Sequence, residues 1–195
     1  MVGEKNDKIV TVAFIIILII AISAYIYVSL PKPEKEISQE EEQGVSYILT
    51  VRYGDEIRNY TLDDLKSMPS ISGYGGYVKK NNITVGPDLY KGVSFEYILQ
   101  EFSLPENYSV TVIASDGYEK NYSIDMIKGK VDIYNESGNY VGMGNLTMIL
   151  AYEKDGSALG EDEGPLRIAF VSEDGYLTPS NLWVRNVVSI EIVEK

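Results

Sequence analysis

The sequence predicts an α+β fold, with a mixed, mostly antiparallel β domain and short helices, plus one N-terminal transmembrane helix. Three Asp-Gly steps, at Asp116, Asp155 and Asp174, each follow an apolar run and suit tight turns that need a positive φ, as in hairpins. A long uncharged run near the N-terminus predicts the membrane helix. Strand-like segments alternate apolar with polar residues and are rich in β-branched and aromatic residues. They include "SYILTVRY" (46–53), "YSVTVIAS" (108–115) and "VVSIEIVE" (187–194).

The N-terminal apolar run covers residues 9–30 and contains no charged residue. About 20 apolar residues cross a bilayer as a helix, so we expect a retained transmembrane anchor after a cytoplasmic tail of residues 1–8. A cleaved signal peptide is the alternative, because Ala21-Ile22-Ser23 resembles a small-residue cleavage site. The flanking lysines are nearly balanced and do not decide the orientation.

Residues 31–44, "PKPEKEISQEEEQG", are rich in proline and glutamate and predict an acidic, solvated stalk. The following domain, residues 45–195, contains all six Asn-x-Ser/Thr sequons, although chance predicts only about 1.4 among the asparagines of such a chain. This excess indicates a single-pass protein of the cell membrane with a glycosylated, extracytoplasmic C-terminal domain. The sequons begin at Asn59, Asn82, Asn107, Asn121, Asn135 and Asn145.

The chain contains neither cysteine nor histidine and has a net charge of −12. It therefore has no thiolate nucleophile, no Cys or His metal ligand and no imidazole base. The negative charge also disfavours nucleic acid as a partner. The expected partners are instead the lipid bilayer, through the N-terminal helix, and an unknown small ligand or a membrane or surface protein.

Two short helices are predicted between the strands. Thr61 followed by Asp64 forms the pattern of a capping box, and the helix it begins should end before Pro69. Ser94 precedes a second apolar face that includes Ile98. The "GYGGY" stretch at 73–77 is expected in a glycine loop, either as an aromatic lip of a binding site or as packed tyrosines.

Six segments in a fixed order carry a resemblance to a known family. They are "TLDDLKSMP" (61–69), "YKGVSFEYIL" (90–99), "VTVIASDGYEKNYS" (110–123), "MILAYEKDGSAL" (148–159), "GPLRIAF" (164–170) and "LWVRNVVSIEI" (182–192). Together they resemble the molybdopterin-binding domain of the sulfite oxidase family, over about 150 residues of this chain. The resemblance implies that family's fold and a cleft for a pterin cofactor.

In that family a cysteine thiolate ligates molybdenum, and the resemblance places it near residues 70–80, where this chain has Tyr74, Gly75, Gly76 and Tyr77. The family also uses histidine and several arginines around the pterin phosphate. The chain is thus identified as a divergent member without the metal ligand. We expect no cofactor, and molybdopterin held by non-cysteine contacts is the alternative.

The predicted cleft takes its residues from these motifs, and no catalytic residue is predicted. Arg167 and Arg185 could bind an anion there, or each could pair with a carboxylate such as Asp116 or Glu163. Glu161 and Glu163 are candidates for calcium; no other metal site is expected. The full set of candidate cleft residues is Tyr74, Tyr77, Asp116, Tyr118, Arg167, Trp183 and Arg185.

These observations favour a binding or accessory module on a molybdopterin-binding-like fold that has lost its molybdenum site. A molybdopterin-dependent oxidoreductase and a structural glycosylated surface protein are the alternatives.

Overall fold

The computed structural model describes residues 45–194. The predicted cytoplasmic tail (1–8), transmembrane anchor (9–30) and stalk (31–44) lie outside these residues. Within 45–194, no helix combines the length and the apolar character needed to cross a membrane.

The first sheet has five strands and joins the two ends of the domain. Its order is β2-β1-β13-β5-β6. β1 runs parallel to β13, and the other pairs are antiparallel. Its strands are β1 (Leu49–Tyr53), β2 (Glu56–Tyr60), β5 (Tyr108–Ala114), β6 (Glu119–Ser123) and β13 (Val187–Glu194).

The second sheet has eight strands, in the order β10-β9-β4-β3-β12-β7-β8, with β11 paired to β9. The β12–β3 pair is parallel and the remaining pairs are antiparallel. Its strands are β3 (Ser70–Val78), β4 (Thr84–Ser94), β7 (Lys130–Tyr134), β8 (Tyr140–Asn145), β9 (Thr147–Lys154), β10 (Ser157–Ala158), β11 (Arg167–Val171) and β12 (Leu177–Pro179). Two mostly antiparallel sheets with few helices agree with the predicted α+β class.

One hydrophobic cluster contains inward-facing residues of both sheets, because alternate residues of β1, β5 and β13 face the same interior as the apolar runs of β9 and β11. All five residues of β11 are buried. The rings of Tyr122 on β6 and Phe170 on β11 lie 6.4 Å apart and connect the sheets. Residues that alternate or run continuously in the sequence therefore build one shared core.

The first predicted helix is present as α1 (Leu62–Ser67), and its capping box is formed. The Asp64 carboxylate accepts a hydrogen bond from the Thr61 backbone N–H at 2.8 Å, and Thr61 Oγ1 accepts one from the Asp64 N–H at 3.1 Å. The second, α2 (Phe95–Gln100), begins as predicted, but Ser94 makes no capping hydrogen bond and instead ends β4.

Two short helical turns were not predicted. One is α3 (Ile124–Ile127), where Ser123 Oγ accepts a hydrogen bond from the Met126 N–H at 3.3 Å. The other is a 3-10 helix, Ser180–Leu182. Both are too short for an apolar periodicity to reveal them.

All three Asp-Gly steps have the predicted positive φ, and two of them form hairpin turns. Asp155, with a φ of 52°, connects β9 to β10, and Gly117, with a φ of 83°, lies between β5 and β6. Gly175 also has a positive φ, of 68°, but its turn is not a hairpin, because it joins β11 to β12 and these strands pair with different neighbours. All three steps have the same Asp-Gly residues, so the long-range pairing of the strands decides which of them forms a hairpin.

Candidate functional site

Arg167 begins β11, and its side chain is only 3% exposed. Its guanidinium carbon lies 5.0 Å from the ring centre of Trp183, 5.4 Å from that of Tyr90 and 6.0 Å from that of Tyr77. A desolvated cation beside aromatic faces is stabilised by about 0.5–2 kcal/mol for each such contact. Three rings from separate segments thus enclose this arginine.

Glu163 supplies the counter-charge, with Oε1 lying 2.8 Å from Arg167 Nη1. The contact is an ion pair without hydrogen-bond alignment, because Nε and Nη1 have no hydrogen-bond acceptor in the described chain. Of the two roles considered for Arg167, the structure shows pairing with a carboxylate. The Glu163 carboxylate therefore already has a cationic partner in Arg167.

A second ion pair borders the same cluster. Lys154 Nζ lies 2.7 Å from Asp88 Oδ2 and 5.7 Å from the ring centre of Tyr90. Burial lowers the pKa of Lys154, but the hydrogen bond to Asp88 and nearby negative charges outweigh this effect and raise the pKa. Burial raises the pKa of Tyr90 despite the opposing charges of Arg167 and Lys154. Tyr90 had no distinguishing signal among the 16 tyrosines of the sequence.

The "GYGGY" stretch lies in strand β3, so the expectation of a glycine loop was wrong. A Cβ atom on Gly75 would meet the Phe170 carbonyl oxygen at 2.2 Å, and one on Gly76 would meet the Val85 carbonyl oxygen at 2.2 Å. These glycines allow neighbouring backbones to approach closely. The aromatic ring of Tyr77 lies 5.5 Å from that of Trp183.

A cavity of about 250 Å³ brings together four of the seven candidate cleft residues: Asp116, Tyr118, Trp183 and Arg185. Tyr77 and Arg167 do not line it, although both lie against Trp183, which does. Tyr74 is 49% exposed and bonds through its backbone to Ser172 instead. The other lining residues, which sequence analysis missed, are Ala114, Ser180 and Val184.

Local hydrogen bonds fix the walls of this cavity. Asp116 Oδ1 accepts a hydrogen bond from the Tyr118 N–H at 3.0 Å. The Ser115 N–H donates to the Asn186 carbonyl at 2.9 Å and ties the β5–β6 turn to the segment before β13. Trp183 Nε1 donates to Thr178 Oγ1 at 2.7 Å. The cavity thus presents a carboxylate, a guanidinium and a phenol next to the indole.

The remaining candidate residues are not gathered in one place. Glu161 is exposed, and Glu163 faces Arg167. Within residues 45–194 no group of three or more metal-ligating side chains is found. All six sequon asparagines are exposed, and two of them contact threonines across the strand, Asn59 with Thr50 and Asn121 with Thr111. Their exposure is compatible with modification, which stays a prediction.

No protein-family model matches the sequence, and no curated protein matches it either. Among solved structures, the fold is similar to that of the sulfane dehydrogenase SoxCD from Paracoccus pantotrophus. The sequence identity is 17%, the TM-score is 0.55, and the match covers 78% of this chain and 40% of that chain. This chain therefore corresponds to less than half of the SoxCD chain. At this identity the likeness shows a shared fold alone.

Proposed function

We propose that this protein is a membrane-anchored, extracytoplasmic binding or accessory module on an oxidoreductase fold that has lost its molybdenum site. The observation that carries the proposal is the enclosure of Arg167 by Trp183, Tyr90 and Tyr77, with Glu163 as its partner. An arginine that served a pterin phosphate would need open space in front of its guanidinium. Here the protein's own side chains occupy that space.

The residues present do not fit molybdopterin. The chain has no cysteine to supply the soft thiolate ligand. The backbone contacts at Gly75 and Gly76 leave no room for a larger side chain there. Glu163 also places a carboxylate beside the arginine, where a pyrophosphate would be repelled. These three observations support the loss of the site.

The cavity at Asp116 and Arg185 is the proposed position of a small ligand. Asp116 Oδ2 is not used by the turn, and Arg185 has no ion-pair partner within residues 45–194. Opposite charges next to Tyr118 and Trp183 suit a small polar molecule that carries both an acidic and a cationic or donor group. Anchoring through residues 9–30 and outward orientation rest on the apolar run and the sequons.

Metal analysis and pterin extraction of protein produced in a molybdenum-competent host test the lost site. We expect molybdenum far below one atom per chain and no released pterin. Stoichiometric molybdenum with a pterin would contradict the proposal and support an oxidoreductase that uses non-cysteine contacts.

A thermal-shift screen with small zwitterions tests the cavity. We expect stabilisation by a hit compound to disappear in Arg185→Ala and Asp116→Asn but to persist in Arg52→Ala, a control on the first sheet. If no ligand from a broad screen depends on Asp116 or Arg185, a structural surface role is the better explanation.

A further inference from the structure

A groove with an unusual charge runs beside the 3-10 helix. It consists of two cavities, of about 270 and 300 Å³, which share Pro179 and Asn181. Lys79 and Lys80 line the first cavity, and Lys120 and Lys130 line the second. We call these two adjacent cavities the cationic groove. It is separate from the cavity at Asp116 and Arg185, except that Ser180 borders both.

The charge of the cationic groove is opposite to that of the chain. The whole sequence has 17 Lys and Arg against 29 Asp and Glu, whereas the groove is lined by four lysines and by Asp132 as its one acidic residue. Lys130 contacts Asp125 at 2.9 Å, in a pair that is largely exposed. Within the described part of the chain, Lys79, Lys80 and Lys120 form no ion pair. Most of this positive charge is thus available to a partner.

The second cavity of the groove also has apolar walls. Met126, Met143 and Leu182 line it, and Met143 is 68% exposed. Methionine side chains adapt to differently shaped apolar groups and are frequent on peptide-binding surfaces. Beside the cavity, β8 is the last strand of its sheet among the described residues, and its sequence "YVGMGN" has no lysine or proline to protect the edge.

We propose that the cationic groove binds an extended, acidic peptide segment of a partner protein. Carboxylates of the segment would contact Lys79, Lys80 and Lys120, and an apolar side chain would enter the methionine-lined cavity. The apolar walls favour a peptide over a purely anionic polymer. A second copy of this chain is disfavoured because its net charge of −12 opposes close approach.

Fluorescence anisotropy of a labelled peptide tests this proposal. The probe is a hexapeptide of four glutamates and two leucines. The protein is the full-length, detergent-solubilised chain from a host without N-glycosylation. We expect binding that weakens between about 50 and about 500 mM salt. The Lys79→Glu and Lys80→Glu double variant should weaken it by about tenfold or more, and Met143→Ser by about three- to tenfold.

The matched control is Arg52→Glu combined with Lys66→Glu, which changes the net charge equally at exposed cations outside the groove. It should bind like the unmodified chain, and a peptide with lysine in place of glutamate should not bind. Equal losses in both double variants would overturn the proposal. So would preferential binding of an acidic oligosaccharide or nucleic acid, or self-association in sedimentation that the groove variants abolish.

Discussion

Arg167 Nη1 lies 2.8 Å from Glu163 Oε1, although the arginine side chain is 3% exposed and the glutamate side chain is 28% exposed. The acidic loop before β11 therefore neutralises a cation that the aromatic cluster holds inside the domain. The same contact explains why the residues "EDE" at 161–163 behave unequally, since only Glu163 reaches the arginine.

Replacing Glu163 by glutamine should leave the enclosed Arg167 without its counter-charge. We expect the free energy of unfolding to fall by about 1–3 kcal/mol, less than for a fully buried pair because water reaches Glu163. Urea denaturation followed by circular dichroism measures the loss. Glu161→Gln, an exposed neighbour in the same loop, is the control and should cost less than about 0.5 kcal/mol. Equal effects of the two variants would contradict the importance of the ion pair.

Adding a side chain at Gly75 should disrupt the close contact between β3 and β11. In Gly75→Ala the new Cβ would meet the Phe170 carbonyl oxygen at 2.2 Å, so the backbones must separate. We expect a loss of at least about 1–3 kcal/mol in the free energy of unfolding. Gly160→Ala is the matched control, because a Cβ there meets no atom within 4 Å. An unchanged free energy of unfolding in Gly75→Ala would show that β3 can shift away from β11 without cost, and it would contradict this prediction.

Stability should decline above about pH 10 because of buried tyrosines. Burial raises the pKa of Tyr122 well above its ordinary value, and its hydroxyl donates to the Leu182 carbonyl at 2.8 Å. The folded state thus holds this proton more tightly than the unfolded chain does. The stabilisation is complete below the ordinary pKa and is lost as the pH rises through the raised one.

In Tyr122→Phe the lost hydrogen bond should cost about 1 kcal/mol at neutral pH, and the alkaline decline should become shallower by up to about 1.4 kcal/mol per pH unit. Unfolding in urea at several pH values between neutral and pH 11 measures both effects. Tyr47→Phe, at an exposed position, should keep the steep decline. An unchanged slope in Tyr122→Phe would contradict this assignment.

Glycosylation is expected among the six exposed sequon asparagines of the native protein, and the peptide proposal requires Asn82, which lines the cationic groove, to be unmodified. Peptide mass spectrometry should find glycan on Asn59, Asn82, Asn107, Asn121, Asn135 or Asn145. The exposed asparagines Asn139 and Asn181 lack the sequon and serve as internal controls. Six unmodified sequons would remove the main support for an extracytoplasmic domain.

Much of the local structure could be predicted from neighbouring residues. The alternating segments became β1, β5 and β13, and Thr61 with Asp64 formed the capping box of α1. These features depend on side chains within a few residues of each other. The "GYGGY" stretch was mispredicted, because its glycines serve close packing between strands, a cause that lies far away in the sequence.

The site was predicted in part. The sequence indicated Asp116, Tyr118, Trp183 and Arg185, which meet at one cavity. It gave no reason to select Tyr90. It also could not show that Tyr74, one of the candidate cleft residues, does not line this cavity. A family resemblance orders motifs along the chain, but it does not say which side chains fill a cleft.

By itself, the sequence determined the β-rich class, the capped first helix, the lack of thiol and imidazole chemistry and the excess of negative charge. Only the tertiary structure decided that Arg167 pairs with Glu163 inside an aromatic cluster and that four lysines from separate strands and turns meet at one groove. Composition and periodicity act over short distances along the chain. The pairing of remote strands, such as β1 with β13, decides which distant charges and rings come into contact.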